Sequence, residues 1–241
     1  MASAPVAVRP VRTTGGAARE AYTRLREDIL AGRRRPGDPL SENDAARELG
    51  MSRTPVREAF IRLESESLLT VRPQIGTVVA PIDVAAVADG QFVREAIECR
   101  SVALAAERAS AQDGRDLREQ LELQARAIAS GDHAAFLALD DAMHRLLLRI
   151  SGHARVWHAI EDLKAQFDRV RLLSLEDPGW LSTIHTQHQD IARHVLAGDA
   201  DAAAEAMRAH LSTVYASIER IAAAHPEYFR REPAPAEFAE L

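Results

Sequence analysis

Gly50-Met51-Ser52-Arg53-Thr54-Pro55-Val56-Arg57-Glu58-Ala59 reads as the turn and second helix of a helix-turn-helix. Gly50 suits the positive φ of a tight inter-helix turn. Ser52 is placed to cap the following helix, and Pro55 falls in its first turn, where a missing N–H costs nothing. Arg53 and Arg57 lie one helical turn apart and share a face near the N-terminus, the part of a recognition helix that enters the major groove. The planar guanidinium can bond a guanine edge or a phosphate bidentately. Ala45 to Leu49 forms a short apolar-sided helix before the turn, and Phe60, Leu63 and Leu68 continue the buried face after it. Leu69 to Val79 reads as two short strands joined by a turn, with Gly76 as its special-φ residue. Upstream, Arg19 to Arg33 carries Tyr22, Leu25, Ile29 and Leu30 at amphipathic spacing. A plain surface helix with scattered arginines would not show turn, cap, proline, arginine pair and hairpin in this order.

The 241 residues allow one large or two ordinary domains, and 46% hydrophobic content excludes a disordered chain. The net charge of −6 argues by itself against a nucleic-acid partner, but its distribution does not. Residues 1–82 hold 13 Arg or Lys against 10 Asp or Glu, a net of +3, while the remainder holds 17 against 26, a net of −9. A mildly basic module joined to an acidic one suits a DNA reader attached to something that does not touch DNA. The single cysteine, Cys99, excludes an intrachain disulfide and reads as a buried, inert residue. No apolar run approaches the roughly 20 residues that span a bilayer. Residues 1–16 lack the apolar core of a signal peptide and are expected to be a disordered tail, as are residues 232–241; Arg9 and Arg12 could at most graze a phosphate. A cytoplasmic protein without a membrane partner is expected.

After Asp83 the pattern turns to Ala- and Leu-rich helices, expected over 83–109, 114–130, 133–150, 154–175, 180–197 and 200–223. Ser130-Gly131-Asp132, Ser151-Gly152-His153, Asp177-Pro178-Gly179 and Gly198-Asp199 are stop-and-recap signals. The expected architecture is mainly α: a winged helix-turn-helix over residues 17–82, then an antiparallel helical bundle over residues 83–231.

Within the bundle, Asp140 and His144 project from one face of one helix, among Phe136, Leu139, Met143 and Leu147. His188 lies between Ile184 and Ile191, and His210 keeps company with Met207, Leu211 and Val214. One carboxylate and three imidazoles aimed into a bundle core make a ligand set for a divalent ion, Zn or Ni first, with Mn, Fe or Co as alternatives. Two plainer readings stand beside it: histidines packed and satisfied in a core, and an ordinary intrahelical Asp140–His144 pair. His185 is a rival ligand, while His133, His153, His158, His194 and His225 read as surface residues. Arg94, near Glu95 and Glu98, could clamp an organic carboxylate or belong to a surface ion pair.

These residues resemble known families. Pro36-Gly37, Leu40-Ser41-Glu42, Ala45 to Leu49, Ser52 to Ala59, Arg62-Leu63 and Gly76 are similar to the GntR family of bacterial repressors. Arg94 with Glu98, Leu139-Asp140 leading to His144, His188 followed by Ile191, Gly198-Asp199 and Met207 to Leu211 resemble the FCD ligand-binding domain of the FadR-like branch. The resemblance covers residues 17–225. It implies a homodimeric winged-helix regulator of a pseudo-palindromic DNA operator, responsive to a small organic acid. Carried over by position, it implies Asp140, His144, His188 and His210 as metal ligands and Arg94 as the carboxylate clamp. It further implies Arg53 and Arg57 as DNA-contact arginines, Ser52 and Thr54 on phosphates, and Gly76 in the wing. Asn43 stands where some relatives have an arginine, Ser67 where a glycine is common, and Met143 where a phenylalanine is common. Six bundle helices would suit the shorter VanR-like variant.

Two rival functions are a metalloenzyme fused to a DNA-binding module and a DNA-binding protein whose metal is purely structural. Against the first, the chain contains no Glu-x-x-His and no His-Glu-x-x-His. No enzymatic activity is expected.

Overall fold

The computed structural model describes residues 14–175, 177 and 179–230. Most of both expected tails, with Arg9 and Arg12, lies outside the described residues, as does Pro178. The chain divides into two compact units, Met1–Ala80 and Pro81–Leu241.

The first unit contains α1 (Thr14–Leu30), α2 (Glu42–Leu49), α3 (Arg53–Ser65) and a two-stranded antiparallel sheet, β1 (Leu69–Arg72) with β2 (Gly76–Val79). Its core is Ala21, Leu25 and Ile29 of α1 against Ala45, Val56, Leu63, Leu68 and Val79. The Ser41 hydroxyl caps α2 by accepting from Asp44 N at 3.0 Å. Gly50 closes α2 at φ +65°, the left-handed conformation a side chain would resist, and its N–H bonds back to the helix end.

Two local expectations are corrected. Ser52 occupies the N-cap position of α3, but its hydroxyl makes no capping bond and stays exposed. The α3 helix stops at Ser65, so Leu68 is buried beyond the helix end rather than on its face. Ser67 sits at φ +54°, which shows why a glycine suits this corner. In the wing, Gln74 (φ +65°) and Gly76 (φ +99°) share the turn's positive-φ work.

The second unit contains α4 (Val84–Arg108), α5 (Ala111–Ser130), α6 (His133–Ile150), α7 (Trp157–Leu163), α8 (Ala165–Ser174), α9 (Trp180–Ala197) and α10 (Ala200–Ala224). Short loops and local caps set these bounds: Asp83, Asp132 and Asp199 each accept from the backbone of the first turn, and Ser110 with Asp113 forms a capping box. That box starts α5 at Ala111, so Gly114 lies within the helix rather than opening it. The single helix expected over 154–175 is instead a 3-10 turn (Ala154–Val156) followed by α7 and α8, with the break at Lys164. No Pro or Gly marks that break. Lys164 Nζ donates to Asp141 on α6 and to Asp168 on α8, each at 2.7 Å.

One apolar core joins α4, α5, α6, α9 and α10 through Val102, Leu117, Met143, Ile191 and Met207. A second, of Phe136, Trp180, Leu181 and Ile184, lies on α6 and α9. Cys99 is buried, and burial pushes its thiol up to about 11, in keeping with an inert residue.

Candidate metal centre and nucleic-acid interface

Asp140 and His144 sit one turn apart on α6, where Phe136 and Met143 fix the inward face. His188 comes from α9 between buried Ile184 and Ile191, and His210 from α10 between Met207 and Leu211. The structure brings the four together: all are buried, and one ligand atom from each lies within 4.8 Å of the others. His144 Nε2 and His210 Nε2 are 3.2 Å apart, and His188 Nε2 is 3.5 Å from Asp140 Oδ1.

The outer nitrogen of each ring is held. His144 Nδ1 meets Glu98 Oε2, His188 Nδ1 meets Gln124 Oε1 at 2.8 Å, and His210 Nδ1 meets Gln187 Oε1 at 3.0 Å. An ionised carboxylate only accepts, so Glu98 keeps the proton on His144 Nδ1 and turns the Nε2 lone pair inward. His188 Nε2 is buried with no hydrogen-bond partner among the described residues. A buried ring nitrogen left bare is costly unless something binds it. Spacings of 3.2 and 3.5 Å suit donors that are each about 2 Å from one shared ion. The residues therefore fit a divalent metal.

Electrostatics supply the same ligand states. Burial pushes His188 down to about 3 and His210 well below its ordinary value, so both rings are neutral. Burial opposes ionisation of Asp140, but Arg171 above all, with the neighbouring histidines, holds its carboxyl below the usual carboxylate range. Glu98 is likewise desolvated, yet Arg94 and His144 bring it down to about 2.

Arg94 is not part of a surface pair. It is largely buried, donates to Glu98 Oε1 at 2.6 Å, and lies over the Phe167 ring. Two residues missed from sequence support the centre. Arg171 of α8 donates to Asp140 Oδ2 at 2.6 Å, Asp141 Oδ1 at 2.9 Å and Asp168 Oδ1 at 3.2 Å. Its signal was present, a basic residue inside the buried run Phe167, Val170 and Ser174. Gln124, fully buried, likewise breaks the apolar face of α5. His185 turns its Nε2 to the Leu121 carbonyl and is no rival ligand; His194 and His225 are half-buried rather than on the surface.

Beside the centre lies a cavity of about 40 Å³. Its polar lining comes from Arg94, Arg171, Asp140, His210 and the side chains of Ser174, Thr213 and Ser217, beside apolar residues such as Phe167, Trp180 and Ile184. Gly90 lets α4 approach this wall, since a Cβ there would come within 2.6 Å of Phe167.

In the first unit, Ser52, Arg53, Thr54 and Arg57 are exposed together at the start of α3, and Gly76 is exposed at the wing. Arg53 is tied loosely to Glu42 at 3.2 Å, whereas Arg57 makes no ion pair among the described residues.

Residues 17–79 match the model for bacterial regulatory proteins of the gntR family, and residues 91–213 match the FCD domain. The chain is 43% identical to an HTH-type transcriptional regulator in an unstable DNA locus of Streptomyces ambofaciens, over 90% of this chain and 91% of that one. It is 36% identical to the HTH-type transcriptional repressor RspR of Escherichia coli K12, over 88% and 92% of the two chains. In fold it is similar to Escherichia coli McbR/YncC (TM-score 0.69, 24% identity, 85% of this chain and 97% of that one). It is similar also to a GntR regulator from Rhodococcus sp. RHA1 (TM-score 0.71, 24% identity, 84% and 97%). These relatives are regulators, not enzymes.

Proposed function

From a chain that belongs to the GntR family, a transcriptional regulator with an FCD domain, we propose a cytoplasmic homodimeric repressor whose operator affinity is set by a small organic acid sensed at a divalent metal. The observation that carries this reading is the buried convergence of Asp140 with three histidines beside an arginine-lined cavity. Residues 17–82 read DNA and residues 83–231 sense the acid. Arg53 and Arg57 contact base edges or phosphates, with Ser52 and Thr54 on phosphates and Gly76 at the wing; the dimer places two α3 helices in successive major grooves of a pseudo-palindromic operator.

Asp140, His144, His188 and His210 would hold the ion, Zn or Ni ahead of Mn, Fe or Co. When bound, it supplies a Lewis-acidic charge for the acid's carboxylate. Glu98, Gln124 and Gln187 orient the rings toward it, and Arg94 pairs with the same carboxylate. The acid releases DNA only by favouring a dimer geometry the operator does not fit, with a coupling of about 1–3 kcal/mol.

The test is metal content by plasma mass spectrometry for wild type and for Asp140→Ala/His188→Ala/His210→Ala, with operator release followed under a panel of acids. About one ion per chain in wild type and none in the variant is expected. Wild type that takes up no ion would sink the metal reading, and metal-loaded protein indifferent to every acid would sink the sensing reading.

A further inference from the structure

Residues 71–76, the far half of the wing hairpin, are all exposed, whereas Leu69 and Val79 at its base are buried. The tip is the turn Arg72-Pro73-Gln74-Ile75, closed by the Ile75 N–H donating to the Arg72 carbonyl at 3.2 Å. Gln74 takes the third position of that turn at φ +65°, where glycine is cheapest, so the tip holds some backbone strain. Val71 and Ile75 are 60% and 64% exposed. One exposed apolar side chain needs no explanation, but here two flank Pro73 on a single projecting tip. Charge narrows what can cover them. Residues 69–79 contain Arg72 and no Asp or Glu, in a chain that has 36 of them. Such a tip suits a polyanion with an apolar interior, and a DNA duplex has phosphates outside and stacked bases within.

With α3 in the major groove, the wing is left to the neighbouring minor groove. From Val71 to Gln74 the arm spans about 10 Å at about 3.3 Å per residue. That is enough to reach the floor of a minor groove about 7.5 Å deep. The width does not match: two strands about 4.8 Å apart, with side chains on both, exceed a groove about 6 Å wide. Entry to the floor therefore requires the groove to open, and an apolar side chain pushed between two base pairs opens it.

We propose that Ile75 wedges between two base pairs in the operator's minor groove and bends the duplex toward the major groove. Gln74, beside it, donates to the base acceptors on the groove floor, and Arg72 pairs with a phosphate. Pyrimidine–purine steps unstack most cheaply, so the wing demands such a step where α3 touches no base. This rests on the reading of residues 17–82 as the DNA-binding unit.

The test uses the full chain and the tightest duplex it selects from a random DNA library, labelled at both ends so that energy transfer reports the bend. Wild type is expected to bend that duplex by about 20° or more. Ile75→Ala should lose at least about half of the bend and bind about threefold to tenfold more weakly, while Ile75→Leu keeps both. Arg57→Ala should weaken binding without changing the bend of the saturated complex. Ile75 and Arg57 are exposed, so none of these exchanges touches the core. A straight duplex in the wild-type complex, or a bend undiminished in Ile75→Ala, would overturn the proposal and leave the DNA-binding reading standing. A chain that selects no duplex over scrambled DNA ends both.

Discussion

Four arginines separate the two units of this protein. Arg53 and Arg57 stand in water at the start of α3, one tied loosely to Glu42 and the other without an ion pair among the described residues. Arg94 and Arg171 are largely buried, each within 2.6 Å of a carboxylate. An exposed arginine is cheap to keep and cheap to lose, because water solvates it equally well when its partner is absent. A buried one must be matched group by group, and removing it strands the anions arranged around it. The first unit can therefore alter its DNA contacts with little effect on its fold, whereas in the second the site and the stability of the bundle are the same set of contacts.

The sharpest break of that contrast is Arg171→Met. It leaves Asp140, Asp141 and Asp168 short of a cation, and the expected loss is about 3–5 kcal/mol. Thermal melting should drop by about 6–20 °C at the 2–4 °C per kcal/mol typical of this chain length. A shift under 2 °C would show that the network is solvated and the contrast false. Next is Glu98→Gln, which keeps the shape but weakens the hold on His144 Nδ1. Zinc affinity by competition with a chelating dye should fall about 10–100-fold, and an unchanged affinity removes Glu98 from the centre.

Arg57→Ala tests the other side. Operator affinity should fall about tenfold with a salt slope shallower by about one, while melting stays within about 0.5 kcal/mol of wild type. A large loss of stability there would erase the distinction between the units. The smallest effect is Gly50→Ala, where a side chain at φ +65° meets no neighbour, so only backbone strain of about 1 kcal/mol is added. Urea unfolding that shows no loss would mean the turn relaxes.

The two units also differ in how far they can be read from the chain. The helix-turn-helix is local: Gly50, Pro55, the arginine pair and the hairpin residues 69–79 act within a few positions of one another, so their order carries the geometry. Even so, the idle Ser52 hydroxyl and the helix end at Ser65 were decided by packing and by the corner at Ser67, not by residue preference. In the bundle, helical period placed Asp140, His144, His188 and His210 on inward faces, and glycine and aspartate signals marked most of the helix ends. Period gives no information on whether three helices meet. Nor does it show that Gln124 and Gln187 face the rings, because those partners lie 64 and 23 positions from the histidines they hold.

The sequence alone thus determined the fold class and the exposed arginine face of α3, since each follows from spacing along one element, but it left His185 as a rival to the histidines of the centre. Only the tertiary structure decided that His144, His188 and His210 converge, that Arg94 reaches them through Glu98, and that Arg171 balances Asp140 beyond any pairing with His144 on its own helix. Those facts depend on contacts between residues far apart in the chain. Such contacts are chosen by the packing of whole helices against one another, and a local pattern carries no record of them.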